Sequence, residues 1–230
     1  MVKHAFTANL KGRDFVVGDI HGCFDALETQ MALQDFNPAI DRVFSVGDLV
    51  DRGPNSIVAL QYLKQPWFIA CKGNHEEFVL TSDEPGTHQL WTEQWGGDWW
   101  LGLDPQSRKS CVDAFIALPL MLEIELNNGL TVGLVHAEMP RNMTWAEVEA
   151  NAAVGHYKTI QTMLFGRRRI AKNIREPVLG IDAVISGHTI LETPLKIGNS
   201  YFIDTGAYLG GDKGSLTFVQ IEELLEWFAE

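Results

Sequence analysis

The chain has 230 residues, 46% of them apolar and 21% charged, with a formal net charge of −12. Those proportions exclude a disordered chain and are enough for one substantial core, so a single domain over residues 1–230 is expected. The acidic balance argues against a nucleic-acid partner, because non-specific binding to a polyanion rests on basic contacts to phosphate.

Three cysteines, Cys23, Cys71 and Cys111, are widely spaced with no CxxC pair, as in a reduced cytosolic protein. No run has the length of a signal peptide or of a membrane helix, so a soluble cytoplasmic protein without a membrane partner is expected. Nothing in the pattern sets an oligomeric state.

Residues 15–17 predict a first strand, followed by Gly18-Asp19-Ile20-His21-Gly22. Phe24, Leu27, Met31 and Leu33 then recur at helical spacing. Residues 43–46 predict a second strand, followed by Gly47-Asp48-Leu49-Val50-Asp51-Arg52-Gly53. Another helix is expected around Ile57, Leu60, Tyr62 and Leu63, with Pro54 near its start. Residues 67–71 predict a third strand, ending in Gly73-Asn74-His75-Glu76. The stretch 87–117 reads as helical and contains Trp91, Trp95, Trp99 and Trp100, which suit a core or a groove wall.

Residues 120–126 and 130–135 flank Asn127-Asn128-Gly129, a hairpin signal, and the second run ends at His136. Residues 183–185 predict a strand ahead of Gly187-His188, and strands at 201–203 and 216–221 complete the chain. Strand and helix alternate early, whereas the later strands lie closer together. The expectation is an α/β chain with a mixed sheet, more antiparallel in its second half.

Five apolar runs therefore end in residue types that bind metal, at the sheet edge where open α/β folds bind ligands. A hydrolytic divalent ion takes carboxylate oxygen and imidazole nitrogen and keeps positions open for water and substrate. One Asp can bridge two ions ~3.5–4 Å apart, and such a pair can clamp a phosphoryl group. A single Gly-Asp pair is an ordinary turn. Three Gly-led motifs in order, plus two strand-end histidines, are hard to obtain from turn chemistry alone. His4, His88 and His156 read as surface or partly buried residues, and Asp204-Thr205-Gly206 as a hydrogen-bonded turn near the site. Three adjacent arginines, Arg167, Arg168 and Arg169, suggest at least one anion contact in so acidic a chain.

The motifs GDIHG at 18–22, GDLVDRG at 47–53 and GNHE at 73–76 resemble the signature of PPP-type metallophosphoesterases, over most of the chain from Phe15 to about Ile221. The stretch WFIACKGNHE, the Gly-Gly-Asp-Trp-Trp segment and Phe-Ile-Asp-Thr-Gly-Ala are most similar to the small bacterial and lambda-phage serine/threonine protein phosphatases. The resemblance implies a four-layer αββα sandwich. It implies that Asp19 and His21 hold a first metal, that Asp48 bridges to a second, and that Asn74, His136 and His188 complete the ligands of that second metal. It further implies His75 as general acid oriented by Asp51, Arg52 as a phosphate clamp, and Arg167 as a second phosphate-binding arginine, with Arg168 and Arg169 as competitors for that place. The cofactors so implied are two divalent ions, Mn²⁺ in small bacterial members, with Fe or Zn²⁺ as alternatives. The substrates so implied are phosphoserine and phosphothreonine, or phosphotyrosine, in proteins or peptides. They would be hydrolysed by direct attack of a metal-bridging hydroxide.

The competing enzyme reading is a symmetrical diadenosine tetraphosphatase, which shares the metal motifs. That branch usually carries Ala where Asp51 stands and Asp where Glu76 stands. A nuclease or cyclic-nucleotide phosphodiesterase fits less well, since those generally lack the DRG arginine. Outside enzymes, the alternative is a non-catalytic metal-binding scaffold, which should have lost the acid, its partner or an arginine; this chain keeps His75, Asp51 and Arg52.

Overall fold

The computed structural model describes residues 1–84 and 86–228. Ten strands form among them: β1 (Lys3–Phe6), β2 (Asp14–Val17), β3 (Arg42–Ser45), β4 (Phe68–Ala70), β5 (Met121–Glu125), β6 (Thr131–Val135), β7 (Ala183–Ser186), β8 (Leu195–Ile197), β9 (Ser200–Phe202) and β10 (Phe218–Gln220). They make two sheets, one ordered β1-β5-β6-β7-β9-β8 and the other β10-β2-β3-β4.

The period-2 alternation of the strands explains how the sheets stack. On β2 and β3, Val16 and Phe44 join Leu122, Ile124, Leu134 and Ile185 of the larger sheet in one buried layer between the two sheets. Phe15, Val17 and Val43 point the other way, into a second core with Phe24, Leu27, Trp91 and Phe115 of the covering helices. Met121 and Val135 face a third core, with Trp145, Val148 and Met163 from helices Trp145–Ala153 and Tyr157–Phe165. Helix, sheet, sheet and helix thus stack in the expected αββα order. Phe15–Val17 of β2 and Val43 and Phe44 of β3 are buried on both faces and apolar in consequence, which is why these strands were plain in the sequence.

All the expected strands form, and β1 and β8 are additional. The antiparallel expectation for the second half holds for the β5–β6 hairpin and for β8–β9, but β6, β7 and β9 run parallel. The helix over Phe24–Leu33 buries Phe24 and Leu27, while Leu33 is exposed. The expected helix after Pro54 is a 3₁₀ turn at Ser56–Val58 running into Ala59–Tyr62. The stretch 87–117 is not one helix: it divides into Thr87–Gln94, a 3₁₀ segment Asp98–Gly102, and Pro105–Ala117. Gly96 at φ 85° ends the first piece. Asp104 caps the last by accepting from the amides of Gln106 and Ser107, with Pro105 at its first position.

No helix among the described residues is long and apolar enough to cross a membrane.

Candidate active site

β2, β3 and β4 are mutually parallel, as are β6, β7 and β9, so each sheet gathers three carboxyl ends on one edge. The two edges meet over the motif turns. The amides of Ile20 and His21 donate to the Asp48 carbonyl at 3.1 and 2.8 Å, and Gly22 donates to Leu49 at 2.8 Å, so the first and second motif turns brace each other. Gly47, at φ 96°, makes the sharp exit from β3.

Left-handed backbone is concentrated here. His21 (φ 46°), Asp48 (51°), Asp51 (72°), Arg52 (65°) and His188 (68°) all adopt conformations that cost non-glycine residues about 1–2 kcal/mol each. Strain of this kind persists only where surrounding bonds over-determine it. Glu76 supplies three such bonds. Its buried carboxylate accepts from the amides of Asp48 at 3.0 Å, Leu49 at 2.8 Å and Gly73 at 2.8 Å, tying the second motif to the third. Sequence reasoning used Glu76 only as a branch marker and missed this role.

The ligand-type atoms converge around Asp48. Its Oδ2 lies 3.6 Å from His21 Nε2, 3.4 Å from His136 Nε2 and 3.9 Å from His75 Nε2. His136 Nε2 is 2.8 Å from Asn74 Oδ1 and 3.2 Å from His188 Nδ1. Two donor sets, each with its atoms within 4.8 Å of one another, therefore share Asp48: one with His21 and His75, the other with His136 and His188. The ring orientations follow from hydrogen bonds on the far side. His21 Nδ1–H donates to the Val50 carbonyl at 2.8 Å and His136 Nδ1–H to the Val46 carbonyl at 2.9 Å. Carbonyls can only accept, so in the neutral rings both Nε2 atoms turn lone pairs inward, the form in which imidazole ligates metal.

Lone pairs of His136 Nε2, Asn74 Oδ1 and Asp48 Oδ2 thus face one another in a buried space, an arrangement that a cation relieves. The residues present fit divalent metal on this ground. Burial lowers the pKa of His21 to about 3 and also lowers those of His136 and His188, which keeps these rings in the neutral form. Burial opposes ionisation of Asp48, but the surrounding histidines outweigh it and hold the carboxyl below its usual range.

Asp19 sits at the edge of the cluster. It is buried and its carboxylate accepts the His188 amide at 3.0 Å. Burial, with Asp204 and Asp48 nearby, pushes its pKa up. Gly187 allows the approach, since a Cβ there would collide with Asp19 Oδ1. Asp204 does form the expected turn, accepting the Gly206 amide at 2.9 Å, yet its Oδ2 is buried without a hydrogen-bond partner and burial raises its pKa to about 6.

Beside the cluster lies a buried pair. His75 Nδ1–H donates to Asp51 Oδ2 at 2.6 Å, leaving Nε2 toward the cluster with no protein partner. Burial works against protonation of His75, but Asp48 and Asp51 outweigh it and raise its pKa above the ordinary value. Asp51 is itself held on both oxygens: Trp91 Nε1 donates to Oδ2 at 2.6 Å and Trp99 Nε1 to Oδ1 at 2.6 Å. The tryptophans expected as core or groove wall include two that fix this carboxylate.

Arg52 is exposed, with Nη1 3.1 Å from His21 Nε2 and its guanidinium 5.0 Å from the ring centroid of Tyr208, a residue the sequence reading passed over. The three adjacent arginines part company. Arg167 Nη1 reaches Thr189, next to His188, at 3.4 Å. Arg168 is exposed, further round the wall. Arg169 is buried and donates to the carbonyls of Ile174 at 2.9 Å and Glu176 at 2.8 Å. His4, His88 and His156 are exposed, as expected.

Imidazole and carboxylate donors gathered around one aspartate, at the joint edge of two stacked sheets, fit the site of a metal-dependent hydrolase. The chain belongs to the calcineurin-like phosphoesterase family, whose model matches residues 15–191. It is 32% identical over 213 residues to serine/threonine-protein phosphatase 2 of Escherichia coli strain K12, covering 90% of this chain and 92% of that protein. It is also 40% identical over 74 residues to a symmetrical bis(5'-nucleosyl)-tetraphosphatase of Dechloromonas aromatica, covering 31% of this chain and 27% of that protein. Among solved structures, one provisionally described as a diadenosine tetraphosphatase superposes with a TM-score of 0.62 at 21% identity, covering 94% of this chain and 97% of that one. At that identity it shows the fold alone.

Proposed function

We propose that the chain is a protein phosphatase that hydrolyses phosphoserine and phosphothreonine monoesters. The observation that carries this reading is the buried His75–Asp51 pair facing the ligand cluster. A serine or threonine oxygen leaves as a strongly basic alkoxide unless it is protonated, so a positioned acid contributes most for such substrates. The phosphate leaving group of a dinucleoside tetraphosphate is a weak base and needs far less help. The full-length similarity to a bacterial serine/threonine phosphatase, against a 74-residue match to a tetraphosphatase, supports the same choice.

In this reading the whole chain, 1–230, is one catalytic domain. Asp19, His21 and Asp48 hold one divalent ion, and Asp48, Asn74, His136 and His188 hold the other, with Mn²⁺ as the expected metal. Bound there, the ions supply positive charge to the phosphoryl oxygens and a water acidic enough to act as nucleophile. Arg52 and Arg167 bind the phosphate from either side and offset charge that develops in the transition state. His75 Nε2–H protonates the departing oxygen, and Asp51 keeps the ring aimed and charged. The three cysteines, all free thiols, accord with a cytoplasmic setting.

Purified protein with Mn²⁺ should be assayed in parallel on a phosphoserine peptide, diadenosine tetraphosphate and a bis-aryl phosphate. The highest kcat/KM is expected for the peptide. Preference for the tetraphosphate would transfer the chain to the other branch, and no hydrolysis of any substrate would make it a scaffold.

A further inference from the structure

A cavity of about 390 Å³ opens beside the ligand cluster. Its walls come from Glu138 and the segment after it, and from the end of helix Tyr157–Phe165 with the turn that follows. Phe165 joins it to the site: this ring lines the cavity and its centroid lies 6.4 Å from that of His188. Arg167 lies on the same wall and reaches Thr189.

The cavity is basic in a chain of formal charge −12. Arg141, Arg167, Arg168 and Arg169 line it. The one carboxylate on its wall is Glu138, buried and engaged by the amides of Arg168 and Arg169, so it serves to hold the turn. Gly166 packs against the Glu138 side chain, where a Cβ would collide. Arg141 pairs with Glu176 at 3.0 Å, but Arg167, Arg168 and Arg169 have no ion pair among the described residues. The buried Arg169 spends Nη1 on two backbone carbonyls, and its Nε is buried without a partner. Arginine therefore outnumbers carboxylate on the wall, even with Glu138 and Glu176 offsetting part of the charge of Arg169 and Arg141, and Gln161 and Thr162 add further polar groups. A guanidinium of this kind recognises carboxylate or phosphate oxygens.

We infer that this cavity takes an anionic side chain a few residues from the scissile phosphoresidue, either a glutamate or aspartate or a second phosphoresidue, and that the enzyme prefers acidic phosphopeptides. The inference rests on the phosphopeptide reading above. Adjacent Cα atoms lie about 3.8 Å apart, so a phosphoresidue at the cluster brings its near neighbours to Phe165, at the mouth of the cavity that Arg168 also lines. Arg167 belongs to the phosphate site, whereas the charge of Arg168, further along the wall, acts on docking of the flank and leaves bond cleavage alone.

The test compares three phosphoserine peptides, flanked by glutamates, by a second phosphoserine or by lysines, with p-nitrophenyl phosphate as a substrate without flanks. The wild-type Mn²⁺ enzyme should favour both acidic peptides over the lysine peptide. Arg168→Glu should raise KM for the acidic peptides about fivefold or more, the scale of one exposed pair lost and one repulsion gained, and should leave p-nitrophenyl phosphate hydrolysis unchanged. Arg168→Gln should give an intermediate KM. A response to the second phosphate alone would identify phosphate as the ligand; a response to both, any compact anion. The inference is overturned if the flanks make no difference, if Arg168→Glu keeps the preference, or if aryl phosphate hydrolysis falls in parallel. Should the wild type cleave the aryl phosphate but no peptide, the protein phosphatase reading itself falls; peptides cleaved without regard to flank leave that reading intact.

Discussion

Asp51 shows how much of the site depends on single contacts. Its carboxylate accepts three hydrogen bonds of 2.6 Å from His75, Trp91 and Trp99, all inside the protein. Replacing Trp99 by Phe keeps an aromatic ring but leaves Asp51 Oδ1 buried and unpaired, a loss of about 1–3 kcal/mol. Trp99→Phe should lower kcat for a phosphoserine peptide about tenfold and spare an aryl phosphate whose leaving group needs no proton. Equal losses on both substrates would show that the indole only supports packing. His75→Asn should cost about a hundredfold on the peptide while metal content, read by elemental analysis, stays unchanged.

The pH dependence has a definite sign. His75 must enter the reaction protonated, and its pKa lies above the ordinary ~6.5. Activity is therefore kept to a higher pH than an unperturbed imidazole would allow, and is lost as pH passes through the raised value. Asp51→Asn removes one of the two carboxylates that hold the proton, so the alkaline limb of the kcat/KM profile should move to lower pH. If the limb stays where it was, another group sets it.

These residues differ in how far the sequence reveals them. Asp19, His21, Asp48, Asn74, His136 and His188 each follow an apolar run within a few positions, so local pattern finds them. Trp99 lies 48 residues from Asp51, and Glu76 acts on amides 27 and 28 residues away. Such roles exist only once the chain is folded, and no spacing rule announces them.

Among elements, the least legible strands were the two edges of the larger sheet. β1 and β8 each have one neighbour, keep few residues fully buried, and carry Lys3, His4 and Lys196. Charged edges discourage pairing with other chains, and they also blur the apolar signal. The Trp-rich stretch is helical as expected, and its breaks follow from close approach: Gly96 lies against the Arg52 backbone and Gly97 against the Trp91 ring. Glu76 is the corresponding device between elements, joining the turn after β3 to the start of helix Asn74–Leu80. Glu76→Gln retains the shape but turns an acceptor into a donor facing backbone amides. It should destabilise the fold by about 1–3 kcal/mol in urea unfolding and weaken metal binding with it. Unchanged stability would mean that the turns hold without it.

At the level of the molecule, the cores account for the stack of layers but not for the alignment of its two edges. Metal should therefore register as stability. Saturation to about a hundred times Kd is worth about 2.7 kcal/mol, and for a chain of this size each kcal/mol moves Tm by about 2–4 °C. Addition of Mn²⁺ to chelated protein should raise Tm by about 5–10 °C. A Tm indifferent to EDTA would show that the cluster is rigid without a cation.

The donors come from both sheets. Asp19, Asp48 and Asn74 follow strands of the smaller sheet, His136 and His188 strands of the larger, and the direct contact of Asp19 with His188 already spans 169 positions of the chain. An ion held between them would act as a clasp across the sandwich as well as a reagent. With the clasp shut, neither sheet can open without breaking the site, so the two must unfold together. With it removed, the apolar layer alone would join the halves, so limited proteolysis should be faster without metal than with it.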